Sequence, residues 1–204
     1  MSILIMSSKV NRKGTIIKFG VEEAVKTLID KNYGLHLMLV YPSLEVLRQF
    51  YSLYTQKEVV ENNGMVVIAP FYETTDSVRF TLSKTLKSVD VAKYESDNTI
   101  TLLDANRFYS TNQASIDFMD TMVHYAKKME KKGVTLMGDM GAFYFKGNSK
   151  NLVDYEISSL PKEFSLDRKG FCLYNQKDLE ALSNNQVLEL YEKHGIVIQL
   201  MVDL

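Results

Sequence analysis

Four polar residues stand out because an apolar, strand-like run delivers each of them: His36 in LHLMLVY, Asp104 in TITLLDA, Asp139 in VTLMGDM and Cys172 in GFCLYN. Imidazoles bind ligands or move protons, carboxylates hold cations or ligand hydroxyls, and a thiol serves as nucleophile or soft ligand. Apolar runs that alternate with helical patterns predict a parallel sheet covered on both faces. In such sheets ligands sit just outside the carboxyl ends of the strands. These four residues, with Tyr72, Glu73 and Tyr174, are therefore the expected lining of one small-molecule site at that edge.

Each residue also has a plainer use. His36 shares its strand face with Met38 and Val40, the setting of a hydrogen-bonded core histidine. Asp104 and Asp139 stand where a carboxylate caps the following helix, although Gly138 and Gly141 allow close approach to Asp139. Cys172, between Phe171 and Leu173, reads as a buried small hydrophobe. A zinc site would draw on His36, His124, His194 and Cys172, none at local ligand spacing, so no metal is expected. His124 falls on a polar helix face with Asp120, Lys127 and Lys131, and His194 on a helix end. Glu156, on the helix after the Asp139 strand, is near enough in sequence to face the same cleft.

After LHLMLVY the chain continues PSLEVLRQF, where a nucleotide-binding sheet of this kind would carry a glycine-rich loop ending in Lys-Ser/Thr. No cradle for a triphosphate is present, and nothing completes the magnesium site an aspartate such as Asp139 would share. The pattern predicts a binding scaffold, with no catalytic residue and no cofactor.

The elements that position these residues follow from periodicity. GTIIKFG is a short strand, and Val21, Val25, Leu28 and Ile29 share one helical face before Asn32-Tyr33-Gly34 turns into LHLMLVY. Ser43 caps a helix running through Tyr51 and Tyr54 to Asn62-Asn63-Gly64. MVVIAPFY is the next strand, followed by a helix capped by Thr75 or Asp76 and running to about Leu86. Further helices are expected over 115–131, over 149–160 up to Pro161, and in DLEALSNNQVLELYEKHG before the strand GIVIQLMV. About six strands alternate with helices, joined by right-handed crossovers.

With 204 residues, 46% of them apolar, the chain has ample core for one domain. The expected division is an arm over 1–20 and a single domain over 21–204. A net charge of −1 argues against nucleic acid as a partner, and the lysines at 127, 128, 131 and 132 read as a solvated helix end. One cysteine excludes an internal disulfide and fits a reducing compartment. The opening MSILIM is too short for a signal-peptide core, and no run approaches the roughly twenty apolar residues of a membrane span. A cytoplasmic location is expected.

Taken in order, LHLMLVY, GMVVIAPFYE, TITLLDANRFY, GVTLMGDMGAF, the Tyr155-Glu156 pair, FCLYNQKDL and KHGIVI resemble the MEDS domain, named from methanogens and methylotrophs, over roughly residues 34–200. Asn175 stands where many of these domains have an aspartate. More distantly, FGVEEAVKTLIDKNYGLHLMLVYPS is similar to the entry of the RecA/KaiC-like ATPases, with Tyr41-Pro42-Ser43 in place of the P-loop. The resemblance implies a three-layer αβα sandwich with a mostly parallel, RecA-like sheet that lacks a P-loop. It also implies a sensory module for a small hydrocarbon derivative that signals through a partner such as a histidine kinase or transcription regulator. The alternative is a degenerate KaiC-like subunit that self-associates, through the arm, and holds no ligand.

Overall fold

Strand residues of the central sheet are covered on both sides, which is why their runs are apolar without the alternation of a half-exposed strand. The computed structural model describes residues 16–85, 90–145, 149–161, 163, 164 and 167–202. Seven parallel strands form one sheet: β1 (Ile16–Phe19), β2 (His36–Tyr41), β3 (Met65–Ala69), β4 (Ile100–Leu102), β5 (Val134–Asp139), β6 (Arg168–Asn175) and β7 (Ile196–Leu200). Their order is β1-β7-β2-β6-β5-β3-β4. This is the expected α/β three-layer class. The short GTIIKFG strand is β1 and pairs with β7, so residues 16–19 of the expected arm belong to the sheet. Residues 1–15 lie outside the described residues.

The direction of each crossover decides which face its helices cover, because parallel connections are right-handed. The steps β1 to β2, β2 to β3 and β3 to β4 all run one way along the sheet. They carry α1 (Val21–Ile29), α2 (Leu44–Gln56), α3 (Thr75–Thr85) and α4 (Val91–Ser96) on one face. The steps from β4 through β5 and β6 to β7 run back. Their helices cover the other face: α5 (Ala105–Phe108), α6 (Asn112–Lys128), α7 (Gly141–Phe145), α8 (Ser149–Asp154), α9 (Gln176–Leu179) and α10 (Asn184–Lys193). The connections leaving β5 and β3 diverge to opposite faces, so a crevice opens between the carboxyl ends of these neighbours.

Two helices end in single π-helical turns: α2 in Lys57–Glu61 and α8 in Tyr155–Ser159. The expected helix over 149–160 is thus α-helical only as far as Asp154. The helix expected over 115–131 spans 112–128, because the Thr111 hydroxyl accepts from Ala114 N at 3.1 Å and starts it three residues early. Thr75 begins α3 instead of capping it, and Thr74 Oγ1 accepts from Ser77 N at 3.1 Å. Its predicted end at Leu86 lies outside the described residues. Gly34 enters β2 with φ +93°, a left-handed conformation that disfavours a side chain, and a Cβ there would stand 3.0 Å from Phe164 O.

On the α1–α4 face the core closes around Phe171 of β6, whose ring meets Tyr54 edge-on at 4.9 Å and Phe50 at 6.3 Å. Phe171→Ala leaves a cavity between two helix-borne rings that cannot close without moving α2. It is expected to lower unfolding free energy by about 3–5 kcal/mol, measured by urea denaturation, with far-UV circular dichroism unchanged.

Candidate functional site

Period-two alternation along the strands separates the predicted site residues. Leu37, Leu39 and Tyr41 of β2 point to the α1–α4 face, so His36, Met38 and Val40 point to the other. In β6 the same rule turns Cys172 and Tyr174 toward His36 and away from Lys169, Phe171 and Leu173. In β5 it turns Asp139, with Thr135 and Met137, to the α1–α4 face. One site containing His36, Cys172 and Asp139 together is therefore not formed. Moreover, His36 opens β2 instead of ending it, and Cys172 is mid-strand.

The residues fall into three groups. The first is at the carboxyl edge beside the β5/β3 crevice. Asp139 Oδ2 accepts from the Tyr41 hydroxyl at 3.1 Å, and Oδ1 accepts from Gly141 N at 2.9 Å. Asp139 is 1% exposed. Burial pushes its pKa up to about 7, against the pull of the Gly141 N–H and Tyr41 hydroxyl. Nearby, the Tyr72 hydroxyl donates to the Asp178 carboxylate at 2.7 Å. Glu73 accepts from Arg48 Nε at 3.0 Å, Tyr51 at 3.1 Å and Ser77 at 2.8 Å. Tyr72 and Glu73 thus cross-link helices and loops at this edge.

The second group extends the same edge outward. Asp104 follows β4 and caps α5, its Oδ1 accepting from Arg107 N at 3.0 Å. The capping use and an open setting coexist, because Asp104 lines a groove of about 460 Å³ with Thr75, Arg107, Leu103, Phe108 and Phe118. That volume suits a small molecule on an apolar floor with a few polar groups at its rim.

The third group is buried between the sheet and the α7–α10 layer. His36, Glu156, Cys172 and His194 each contribute one donor atom, and the four atoms lie within 4.8 Å of one another. His36 Nε2 is 3.2 Å from Cys172 Sγ and 3.4 Å from Glu156 Oε2; His194 Nε2 is 3.5 Å from the same oxygen. Carbonyls only accept, so His36 Nδ1–H donates to Pro161 O at 2.9 Å and His194 Nδ1–H to Leu190 O at 2.7 Å. Both Nε2 atoms are thereby turned to the centre. The Tyr174 hydroxyl donates to Glu156 Oε1 at 3.0 Å and leaves Oε2 facing inward. Burial raises Glu156, but His194 and His36 more than reverse this and hold it well below the ordinary carboxylate range. Burial and Glu156 push the Cys172 thiol well up.

Of the zinc set His36, His124, His194 and Cys172, which lacks local spacing in the sequence, the fold brings three together, and Glu156 joins them instead of the Asp139 cleft; they come from β2, the π-turn after α8, β6 and the end of α10. The available signal was Leu152, Tyr155 and Glu156 at i, i+3 and i+4, which places the glutamate on an apolar helical stripe. His124 is exposed, as expected, its Nδ1–H donating to Asp120 O at 2.7 Å.

No family model and no curated protein matches the chain. Among the described residues no helix is long and apolar enough to cross a membrane.

The Asp139 shift has a definite sign. A carboxyl whose folded pKa is raised stabilises the fold fully below its unfolded value, near 4, and loses that contribution as pH rises through about 7. Relative to Asp139→Asn, the wild-type chain should therefore lose stability on the order of 2 kcal/mol between pH 5 and pH 7. Urea midpoints of the two proteins across that range check it; a constant difference would remove the buried-acid reading.

Proposed function

We propose that this protein is a non-catalytic sensory module that binds a small organic molecule at the carboxyl edge of its sheet and signals through a partner protein. The observation that carries the reading is the 460 Å³ groove, whose rim offers the Asp104 carboxylate, the Arg107 guanidinium and the Thr75 hydroxyl. It lies along the edge where this class of sheet receives ligands. Asp104 Oδ1 is used by the helix cap, so Oδ2 is the atom offered to a ligand hydroxyl. Arg107 supplies a planar double donor for a carboxylate. The matching ligand is a short hydroxy-carboxylate with an apolar body. The resemblance to MEDS domains, with their hydrocarbon-derived signals, points the same way.

Catalysis has little support in this chain. The turn after β2 gives its hydroxyl, Ser43, to the α2 cap, where Oγ accepts from Val46 N at 3.4 Å. Cys172 is buried on the opposite face with its thiol pKa raised, the reverse of an activated nucleophile. Output then depends on the ligand favouring one conformer or assembly over another.

Thermal shift against a panel of short hydroxy-carboxylates, together with native and denatured mass of the purified protein, tests this reading. At least one panel member should raise Tm in a concentration-dependent way. Arg107→Ala should weaken that ligand by about tenfold or more, the worth of one charge-assisted pair. Absence of any shift and of any retained mass, or binding indifferent to Arg107→Ala, would sink it.

A further inference from the structure

We infer that His36, Glu156, Cys172 and His194 form a closed binding site for one divalent transition-metal ion of the zinc class. Two of the inward atoms, Glu156 Oε2 and His194 Nε2, are fully buried and have no hydrogen-bond partner at good geometry, although they lie only 3.5 Å apart. With Nδ1 protonated by its bond to Leu190 O, a neutral His194 would set a nitrogen lone pair against a carboxylate oxygen. Such a pair inside a protein calls for a positive centre between the two atoms, a proton on His194 Nε2 or a bound ion, and a second imidazole and a thiol aimed at the same point fit the ion.

The donor chemistry and spacing fit a metal ion. A tetrahedral ion with bonds of about 2.0–2.3 Å separates its ligand atoms by roughly 3.3–3.7 Å. The two histidine–glutamate separations, 3.4 and 3.5 Å, fall on these edges, the His36 Nε2–Cys172 Sγ separation of 3.2 Å is just under them, and all four atoms lie within 4.8 Å of one another. Two imidazoles, one thiolate and one carboxylate form a borderline donor set that suits zinc better than magnesium or calcium. Each histidine is oriented by a carbonyl on its far nitrogen and the glutamate by Tyr174, the outer support that metal ligands require. Four protein ligands leave no open position, so the ion is structural or regulatory and activates no water. Coordination displaces the Cys172 thiol proton to solvent. The site faces the α7–α10 layer and is independent of the carboxyl-edge groove.

The test is cobalt(II) substitution of the full chain, freed of metal by unfolding with a chelator and refolded with Co(II), since burial slows entry into the folded state. One Co(II) per chain should bind with a thiolate-to-cobalt charge-transfer band and intense tetrahedral visible bands, both bleached by one equivalent of Zn(II). Cys172→Ser should lose the charge-transfer band, Glu156→Gln should weaken Co(II) at least tenfold, and His124→Ala should change neither. Zn(II) should also raise the Tm of the wild-type protein, a readout that needs no variant to fold. A refolded wild-type chain with no charge-transfer band, or with weak six-coordinate Co(II) bands that survive Cys172→Ser, overturns the site. So does a Tm indifferent to Zn(II).

Discussion

A parallel sheet roofed on both faces keeps its central strands away from water, so a polar side chain there must find its partner in the helices above it. This constraint governs the molecule. Lys169 and Thr135 on the α1–α4 face, and His36 and Cys172 on the other, are polar positions on fully covered strands. In each case the layer above answers with a buried glutamate, Glu58 on one side and Glu156 on the other. Both glutamates come from π-helical turns that finish a longer helix. A π-turn widens the helix locally and re-aims the side chain it carries, which lets an acid reach the sheet from a helix packed through apolar residues.

The two clusters differ in how far they are complete. Glu58 accepts from Tyr33, Tyr54 and Asn62 and has the Lys169 ammonium 3.9 Å away. That ammonium also donates to Leu28 O at 3.0 Å, and burial still lowers its pKa more than Glu58 raises it. Every charged atom there has a partner, and the cluster reads as a self-sufficient brace across α1, α2 and β6. Around Glu156 the carboxylate has one donor on Oε1, while its other oxygen faces two imidazoles and a thiol. One cluster holds its own cation and the other leaves room for one. A buried carboxylate is costly without compensation, so this asymmetry is the strongest chemical statement the fold makes.

The layout was legible in the sequence because continuous apolar runs and helical stripes are local signals. LHLMLVY, MVVIAPFY and VTLMGDM became β2, β3 and β5, and His36 does share its face with Met38 and Val40. The grouping of polar residues was less legible, for two physical reasons. A run shows that a strand exists but leaves its ends uncertain by a residue or two, and one residue of shift reverses the face. His36 stands early in LHLMLVY and opens β2, yet the sequence alone grouped it with residues that end other strands. The other reason is distance along the chain: His36, Glu156, Cys172 and His194 meet only after the sheet has ordered β2 beside β6 and β7. Local ligand spacing is blind to such a set. Asp104, by contrast, was readable as a helix cap, which it is, and it also lines the groove beside α5.

The turn after β2 also bears on where open space lies at the carboxyl edge. In a nucleotide-binding sheet the turn after the strand equivalent to β2 is a glycine-rich cradle that keeps the space over its neighbours free for phosphates. Here Pro42-Ser43 sends the chain straight into α2, and Tyr41, the last residue of β2, extends its hydroxyl to Asp139 at the end of β5. Since β6 lies between β2 and β5, this bond spans the middle of the sheet at its carboxyl edge. Tyr72 and Asp178 add a second bond at the same edge. One open groove lies farther out, where short β4 ends at Leu102 and α5 begins behind Asp104. The groove at the β4 margin offers Asp104, Arg107 and Thr75 beside Leu102, Leu103, Phe108 and Phe118, side chains where a phosphate cradle would offer backbone amides.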